Sequence, residues 1–150
     1  MKKITFILLL MLAVLTLNAQ NTKPKAPEFA LGTFTDDYQI TYTINDTLWV
    51  QHPNIKYHII KWNPEQQYLV AKNDAENKTD ANKYTRIDYM IFNGMEPFLW
   101  GFCLTAYDAA TDKIAEETAY ADRKNPKKGC NGYPFSRMKK AEPKPSIKNK

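Results

Sequence analysis

The chain carries two thiols, Cys103 and Cys130, and two imidazoles, His52 and His58. A nucleophilic cysteine needs a base beside it, and His58 next to either cysteine would supply one. The alternative is a disulfide, which would close a loop of about 28 residues and contribute roughly 3–4 kcal/mol. We predict the disulfide Cys103–Cys130, because the first residues of the chain predict export, and export would place both cysteines in an oxidising compartment.

The two histidines lie on either side of Pro53. A metal site built on them would need carboxylates from elsewhere in the chain, so we interpret them as surface side chains and predict no metal. The sequence contains no glycine-rich phosphate loop, Gly-x-Ser-x-Gly, Cys-x-x-Cys or His-Glu-x-x-His motif. We therefore assign no catalytic residue and no cofactor, and an enzyme ranks behind a binding protein.

Two charged pairs could take part in chemistry. Asp36 and Asp37 are adjacent, and neighbours on a strand point to opposite faces, so they cannot share a proton as a catalytic dyad. We predict a role for them in a turn or a strand-start hydrogen bond. Arg86 and Asp88 share a face, either as a solvent-facing pair of little energetic value or inside a barrel, where Arg86 would orient a polar ligand group.

Aromatic residues make up 13% of the chain and are the remaining functional signal. An eight-stranded barrel has an interior just large enough for side chains or for one small ligand. The same aromatic residues could therefore fill a core or line a pocket. For the pocket, we predict a ligand-binding set of five residues: Tyr42, Tyr57, Trp62, Arg86 and Trp100.

Alternation of apolar and polar residues predicts about seven strands, because period two is typical of a strand with one buried face. The segments are 38–44, 47–51, 55–62, 67–72, 84–92, 98–107 and 133–138. They follow one another with short turns, which favours an antiparallel up-and-down barrel, with a β-sandwich as the alternative. Only residues 109–122 predict a helix, with a weak apolar stripe that includes Ile114, and Asn125-Pro126 closes it.

The beginning of the chain resembles a secretory signal peptide. Lys2 and Lys3 precede the apolar run Ile4–Leu17, and Asn18-Ala19-Gln20 ends it. The run is shorter than the roughly 20 residues that span a membrane. We predict cleavage after Ala19 and a secreted or periplasmic protein without stable membrane insertion. The domains are then a signal peptide (1–19), a linker (20–30), one β domain (31–138) and a disordered basic tail (139–150).

The formal net charge of +5 comes from the ends of the chain. Between residues 31 and 135 there are 11 Lys or Arg against 14 Asp or Glu, so the predicted β domain is net negative. A nucleic-acid-binding protein carries its positive patch on the folded domain. The charge pattern therefore predicts no nucleic-acid partner.

Gly32-Thr33-Phe34 resembles the Gly-x-Trp motif that opens the first strand of lipocalins, with Phe in place of Trp. A late helix followed by one short strand is also similar to the order of elements in this calycin group. The resemblance implies a barrel that holds a small, mostly apolar molecule. It also implies that a basic side chain near the end, here Arg137, packs over Phe34. The segment Gly129–Phe135 resembles small uncharacterised secreted bacterial proteins, which implies no activity.

Two functional hypotheses follow from the sequence. The first is an exported lipocalin-like protein that binds a small, mostly apolar molecule. The second is a secreted protein-interaction module or inhibitor without a ligand cavity, whose partner is an exported protein. A cavity lined by side chains would favour the first, and a filled barrel with an exposed aromatic patch would favour the second.

Overall fold

A computed structural model describes residues 25–118 and 120–142. Eight antiparallel strands, each paired with its sequence neighbours, close into a barrel in which β8 returns to β1. The strands are β1 Gly32–Asp36, β2 Thr41–Ile44, β3 Leu48–Gln51, β4 Ile55–Asn63, β5 Tyr68–Asn73, β6 Tyr84–Ile91, β7 Trp100–Ala109 and β8 Ser136–Lys140. The predicted up-and-down barrel is confirmed, and the chain does not form the alternative sandwich.

The described part of the chain forms eight strands where the sequence predicted about seven, and the additional strand lies in the first hairpin. The alternation beginning at Tyr38 predicts one strand, yet β2 begins only at Thr41 and a separate β1 precedes it. The Asp36 carboxylate causes the break, since it accepts hydrogen bonds from the backbone N–H groups of Tyr38 (2.9 Å) and Ile40 (2.8 Å). The same carboxylate accepts a hydrogen bond from the hydroxyl of Tyr42 at 3.0 Å. The predicted turn role of Asp36 is confirmed.

Aromatic side chains from the strands fill the barrel interior and pack edge to face. The ring centroids of Trp49 lie 5.1 Å from Phe102 and 6.0 Å from Trp100. The members of this interior aromatic cluster are Phe34, Tyr42, Trp49, Tyr57, Trp62, Tyr89, Trp100 and Phe102. All are buried, and apart from Trp62 period two places them on the inner faces of their strands.

Trp62 reaches the interior through a bulge in β4. The register with β5 shifts between Ile59 and Lys61, so one extra residue is accommodated there. Ile60 consequently turns outward and is 41% exposed, while Trp62 is buried. A bulge redirects the side chains that follow it, and without this one Trp62 would point to solvent.

The segment before β1 also packs into the core, so the predicted linker over residues 20–30 needs correction. Ala26 is buried, and so is Ala30, the last residue of a short 3₁₀ helix, Glu28–Ala30. The ring of Phe29 lies 5.8 Å from both Tyr89 and Trp100. Burial of these apolar groups makes residues 26–30 part of the domain.

The helix, α1 (Asp112–Glu117), is shorter than predicted. Its start is fixed by the Thr111 side chain, which accepts a hydrogen bond from the backbone N–H of Ile114 at 3.2 Å. Ala109 belongs to β7 instead, because it pairs with Tyr84. Ile114 is 51% exposed, and Ala115 is the helical residue that packs against the barrel.

The end of the chain differs from prediction in two ways. Lys139 and Lys140 lie in β8 and therefore belong to the barrel, not to a disordered tail. The cation over Phe34 is Lys140, with its Nζ 4.3 Å from the ring centroid, whereas Arg137 lies over Phe98 at 4.7 Å. The chain thus makes the implied cation–π contact with a different residue.

The predicted signal peptide (1–19) and the end of the tail (143–150) lie outside the described residues. Within the described ranges, no helix combines the length and the apolar character needed to cross a bilayer.

Residues 120–135, here called the cover segment, run over the outer face of the barrel. The predicted disulfide is confirmed, since the Sγ atoms of Cys103 on β7 and Cys130 on the cover segment are 2.08 Å apart. Phe135 and Ala121 are buried beside Cys103 in a small outer core. The disulfide therefore ties the cover segment to the barrel wall.

Candidate functional site

Arg86 and Asp88 lie on the outer face of β6, beneath α1 and the cover segment. Asp88 is fully buried and Arg86 is 4% exposed, and Arg86 Nε donates to Asp88 Oδ2 at 3.0 Å. Their sequence neighbours Ile87 and Tyr89 face the interior. Both sequence interpretations of this pair are wrong, because a second layer of chain covers the outer face where it lies. The alternation along β6 predicted that Arg86 and Asp88 share a face, but nothing in the local sequence predicted that another part of the chain covers that face.

Asp88 is held by a second cation, Arg123 of the cover segment. The Nη2 group of Arg123 donates to Asp88 Oδ1 at 2.9 Å and to the carbonyl of Gln67 at 2.7 Å, and its Nε donates to the carbonyl of Tyr89 at 2.9 Å. Thr105 also donates to Asp88. A buried carboxylate with this many charge-assisted donors is well satisfied, so the network attaches the cover segment to the barrel.

The structure brings together four of the five predicted ligand-binding residues and separates the fifth. Tyr42, Tyr57, Trp62 and Trp100 belong to the interior aromatic cluster, whereas Arg86 lies on the opposite face of the wall. Trp62 Nε1 donates to the carbonyl of Asp46 at 2.8 Å. Burial, and then the nearby carboxylate of Asp36, raises the pKa of Tyr42 far above its usual range, so this hydroxyl stays a neutral donor.

Two interior donors have no hydrogen-bond acceptor among the described residues: the Tyr89 hydroxyl and the Trp100 indole nitrogen. Burial raises the pKa of Tyr89 to about 12, so the hydroxyl keeps its proton. Both residues contact Phe29, which precedes β1 and packs against the interior aromatic cluster. An unpaired buried donor costs about 1–3 kcal/mol, which marks this place as one where a polar acceptor would be favourable.

A groove of about 540 Å³ lies on the outside of the barrel, where the first hairpin, the β6–β7 connection and the cover segment meet. We call it the outer groove. Its apolar lining consists of Tyr38, Phe92, Met95, Pro126, Pro134 and Phe135. Tyr38 is 66% exposed and Met95 is 39% exposed, so water reaches large apolar surfaces here. Binding sites for small molecules have this size and this largely apolar lining.

Two glycines allow the groove to form. A Cβ on Gly101 would lie 2.7 Å from Cζ of Phe92, so glycine lets this ring pack closely against β7, where it lines the groove. A Cβ on Gly129 would lie 1.9 Å from the carbonyl oxygen of Asp122, so only glycine permits the tight fold of the cover segment. That fold presents Pro126 on the groove wall.

Charged side chains line the rim of the outer groove. Arg137 Nε donates to Asp37 Oδ2 at 2.8 Å, and the backbone N–H of Arg137 donates to Asp37 Oδ1 at 3.2 Å. Lys127, from the cover segment, is the third charged residue of the lining. These groups could orient a polar end of a molecule whose apolar part lies on the groove floor.

The two histidines lie on the surface. His58 Nε2 is 2.6 Å from Asp74 Oδ2, and His52 Nε2 is 2.9 Å from the hydroxyl of Thr43. Within residues 25–118 and 120–142, no three side chains of His, Cys, Asp or Glu come together as a metal site would require.

Sequence reasoning missed the outer groove because its residues come from three separate connections. Phe92 ends the predicted run 84–92 and Met95 lies beyond it, where period two no longer assigns a face. Phe135 lies in the predicted run 133–138, but the strand begins only at Ser136. The available signal was the presence of Met95 and Pro126 in connections, and of Pro134 within a predicted strand, where proline is unfavourable.

No protein-family model matches the chain, and the comparisons with curated proteins and with solved structures returned no match. The closed antiparallel barrel is consistent with a calycin-like fold, which is a statement about architecture. A barrel carrying a disulfide is compatible with an extracellular location.

Proposed function

We propose that this chain is a non-catalytic binding protein that holds a small, mostly apolar molecule in the outer groove. The observation that carries the proposal is the groove itself, about 540 Å³ of space with an aromatic and aliphatic lining and a few charged groups at its rim. An apolar concave site with a few convergent polar groups is where small ligands generally bind.

The exposed surface of the groove supports the same function. Apolar side chains that remain in water at a concave site gain free energy when a ligand covers them, at about 25 cal/mol for each Å². The interior aromatic cluster offers no such gain, since Trp49 and Trp100 already contact other rings and are 1% and 0% exposed.

A second candidate places the small molecule inside the barrel, against Tyr42, Tyr57, Trp62 and Trp100. The unpaired Tyr89 hydroxyl and Trp100 indole nitrogen support it. A ligand would have to displace Phe29 and offer an acceptor to these donors. The outer groove needs no such rearrangement, so we rank the interior second.

Titration of the purified protein with phenylnaphthylamine, a neutral apolar fluorophore, tests both candidates. For the outer groove, we expect saturable binding that Tyr38→Ala weakens about threefold to tenfold, since one aromatic contact contributes about 0.5–1.5 kcal/mol. Tyr120→Ala is the matched control, because Tyr120 is 73% exposed and does not line the groove.

The outcomes separate the alternatives. If Tyr38→Ala leaves the Kd of the fluorophore unchanged and the conservative Trp100→Phe raises it, the interior site is favoured. Absence of saturable binding to the folded protein would contradict both candidates and would leave the protein-interaction module.

A further inference from the structure

We propose that the natural ligand of the outer groove is a small amphipathic acid, an apolar body with one carboxylate or sulfonate, which Lys127 and Arg137 hold. This inference rests on the outer groove being the binding site, and it adds the chemical class of the ligand. The apolar body would lie on Phe92, Met95 and Phe135.

The charges at the rim favour an anion. Of the three charged side chains that line the groove, two are cations and one is the carboxylate of Asp37. Asp37 is already paired, since it accepts two hydrogen bonds from Arg137. Lys127 is exposed and forms no ion pair with any residue of the described ranges. The rim therefore carries one positive charge beyond its own carboxylate.

The guanidinium of Arg137 is held in place before any ligand arrives. Nε donates to Asp37, and the guanidinium carbon lies 4.7 Å above the centroid of Phe98. These two contacts fix the plane of the group, while its side chain remains 43% exposed. A fixed donor loses less conformational entropy on binding than a free one, and arginine is well suited to carboxylates and similar planar anions.

A neutral or cationic apolar molecule fits the rim less well. Covering Lys127 and Arg137 with apolar surface removes water from both cations, which is costly unless a charge or hydrogen bond replaces it. A second cation would add repulsion. A volume of about 540 Å³ accommodates a molecule of drug-like size, which is why we commit to a small acid rather than to an acidic partner protein.

Two fluorophores with the same aromatic skeleton test the inference. Anilinonaphthalene sulfonate carries a sulfonate, and phenylnaphthylamine does not. We expect the sulfonate probe to bind the folded protein about threefold to fivefold more tightly, the range of one partly exposed ion pair. Lys127→Gln should abolish most of this preference, because it removes a cation that attracts the sulfonate and that a neutral probe would have to desolvate. High salt should narrow the difference as well.

Matched variants make the result interpretable. Lys128→Gln is the control, because it removes the same charge from the next residue, which is exposed and is not part of the groove lining. Arg137→Gln is the second test variant and should lower the preference in the same direction. Thermal unfolding of each variant establishes that it is folded.

Different results would contradict the acidic ligand and the outer groove as the binding site. If both probes bind equally, with both weakened by Tyr38→Ala and neither by Lys127→Gln, the ligand is not an acid and the groove remains the site. A sulfonate preference that survives both Lys127→Gln and Arg137→Gln also overturns the inference. If Tyr38→Ala affects neither probe, the outer groove itself is wrong.

Discussion

The two faces of the barrel wall are stabilised in different ways. The interior is an apolar cluster in which Trp49 contacts both Trp100 and Phe102 edge to face. The outer face beneath the cover segment instead buries a carboxylate, Asp88, between two arginines. Apolar packing depends on volume and shape, whereas a buried charge depends on every one of its partners. Mutations should therefore affect the two faces differently.

The largest expected effect is on the interior. Trp49→Ala should lower the free energy of unfolding by about 3–5 kcal/mol, because it removes a fully buried indole and leaves a cavity. Urea unfolding followed by circular dichroism measures it. Tyr133→Ala, at a residue 73% exposed, is the control and should stay within about 0.5 kcal/mol. A loss below about 1 kcal/mol for Trp49→Ala would show that the interior is not tightly packed.

The outer face should be more sensitive to losing one partner than to losing the pair. Asp88→Asn keeps the shape of the side chain but leaves Arg86 buried without its carboxylate, and we expect a loss of about 3 kcal/mol. The double replacement Arg86→Met with Asp88→Leu should cost less than Asp88→Asn alone, because it leaves no fully buried charge without a partner. Arg123, with 23% of its side chain exposed, can still reach water.

The same urea series measures this prediction. A double variant that loses more stability than Asp88→Asn would contradict it. That result would mean that Asp88 acts mainly through Arg123 and Thr105, which the double replacement also deprives of their acceptor.

The smallest effect concerns Glu116, where α1 meets the barrel. Hydrogen bonds from Lys61 and then from Tyr68 lower the pKa of this carboxyl below its ordinary value of 4.5. A lowered pKa in the folded state adds stability above pH 4.5, and this stability is lost as the pH falls through the folded-state value. The contribution should be below about 1 kcal/mol, because the side chain is 34% exposed.

Urea unfolding of the wild type and Glu116→Gln across pH 3–7 measures this contribution. The difference in the free energy of unfolding between the two proteins should be present near neutral pH and become smaller at acid pH. Glu117→Gln is the control, since the side chain of Glu117 is 65% exposed and its ion pair with Lys113 is long, at 3.8 Å. A difference for Glu116→Gln that does not change with pH would contradict the ionic role of this residue.

Local patterns predicted most of the barrel. Tyr57, Ile59, Ile87 and Tyr89 are on the inner face as alternation required, since side chains on a strand point to opposite faces whatever the rest of the chain does. The separation of Asp36 from Asp37 followed from the same rule. Two cysteines in a chain whose first residues resemble an export signal sufficed to predict their pairing, because only one pairing within the chain exists.

Contacts between distant residues decided the rest. The bulge before Trp62, the pairing of Ala109 with β6 and the shortened helix all depend on strand register, which no single segment carries. The sequence by itself determined which side chains share a face within each regular stretch of strand. Only the tertiary structure decided what covers each face, because the cover segment folds back over β6 and β7 and thereby buries Arg86 and creates the outer groove.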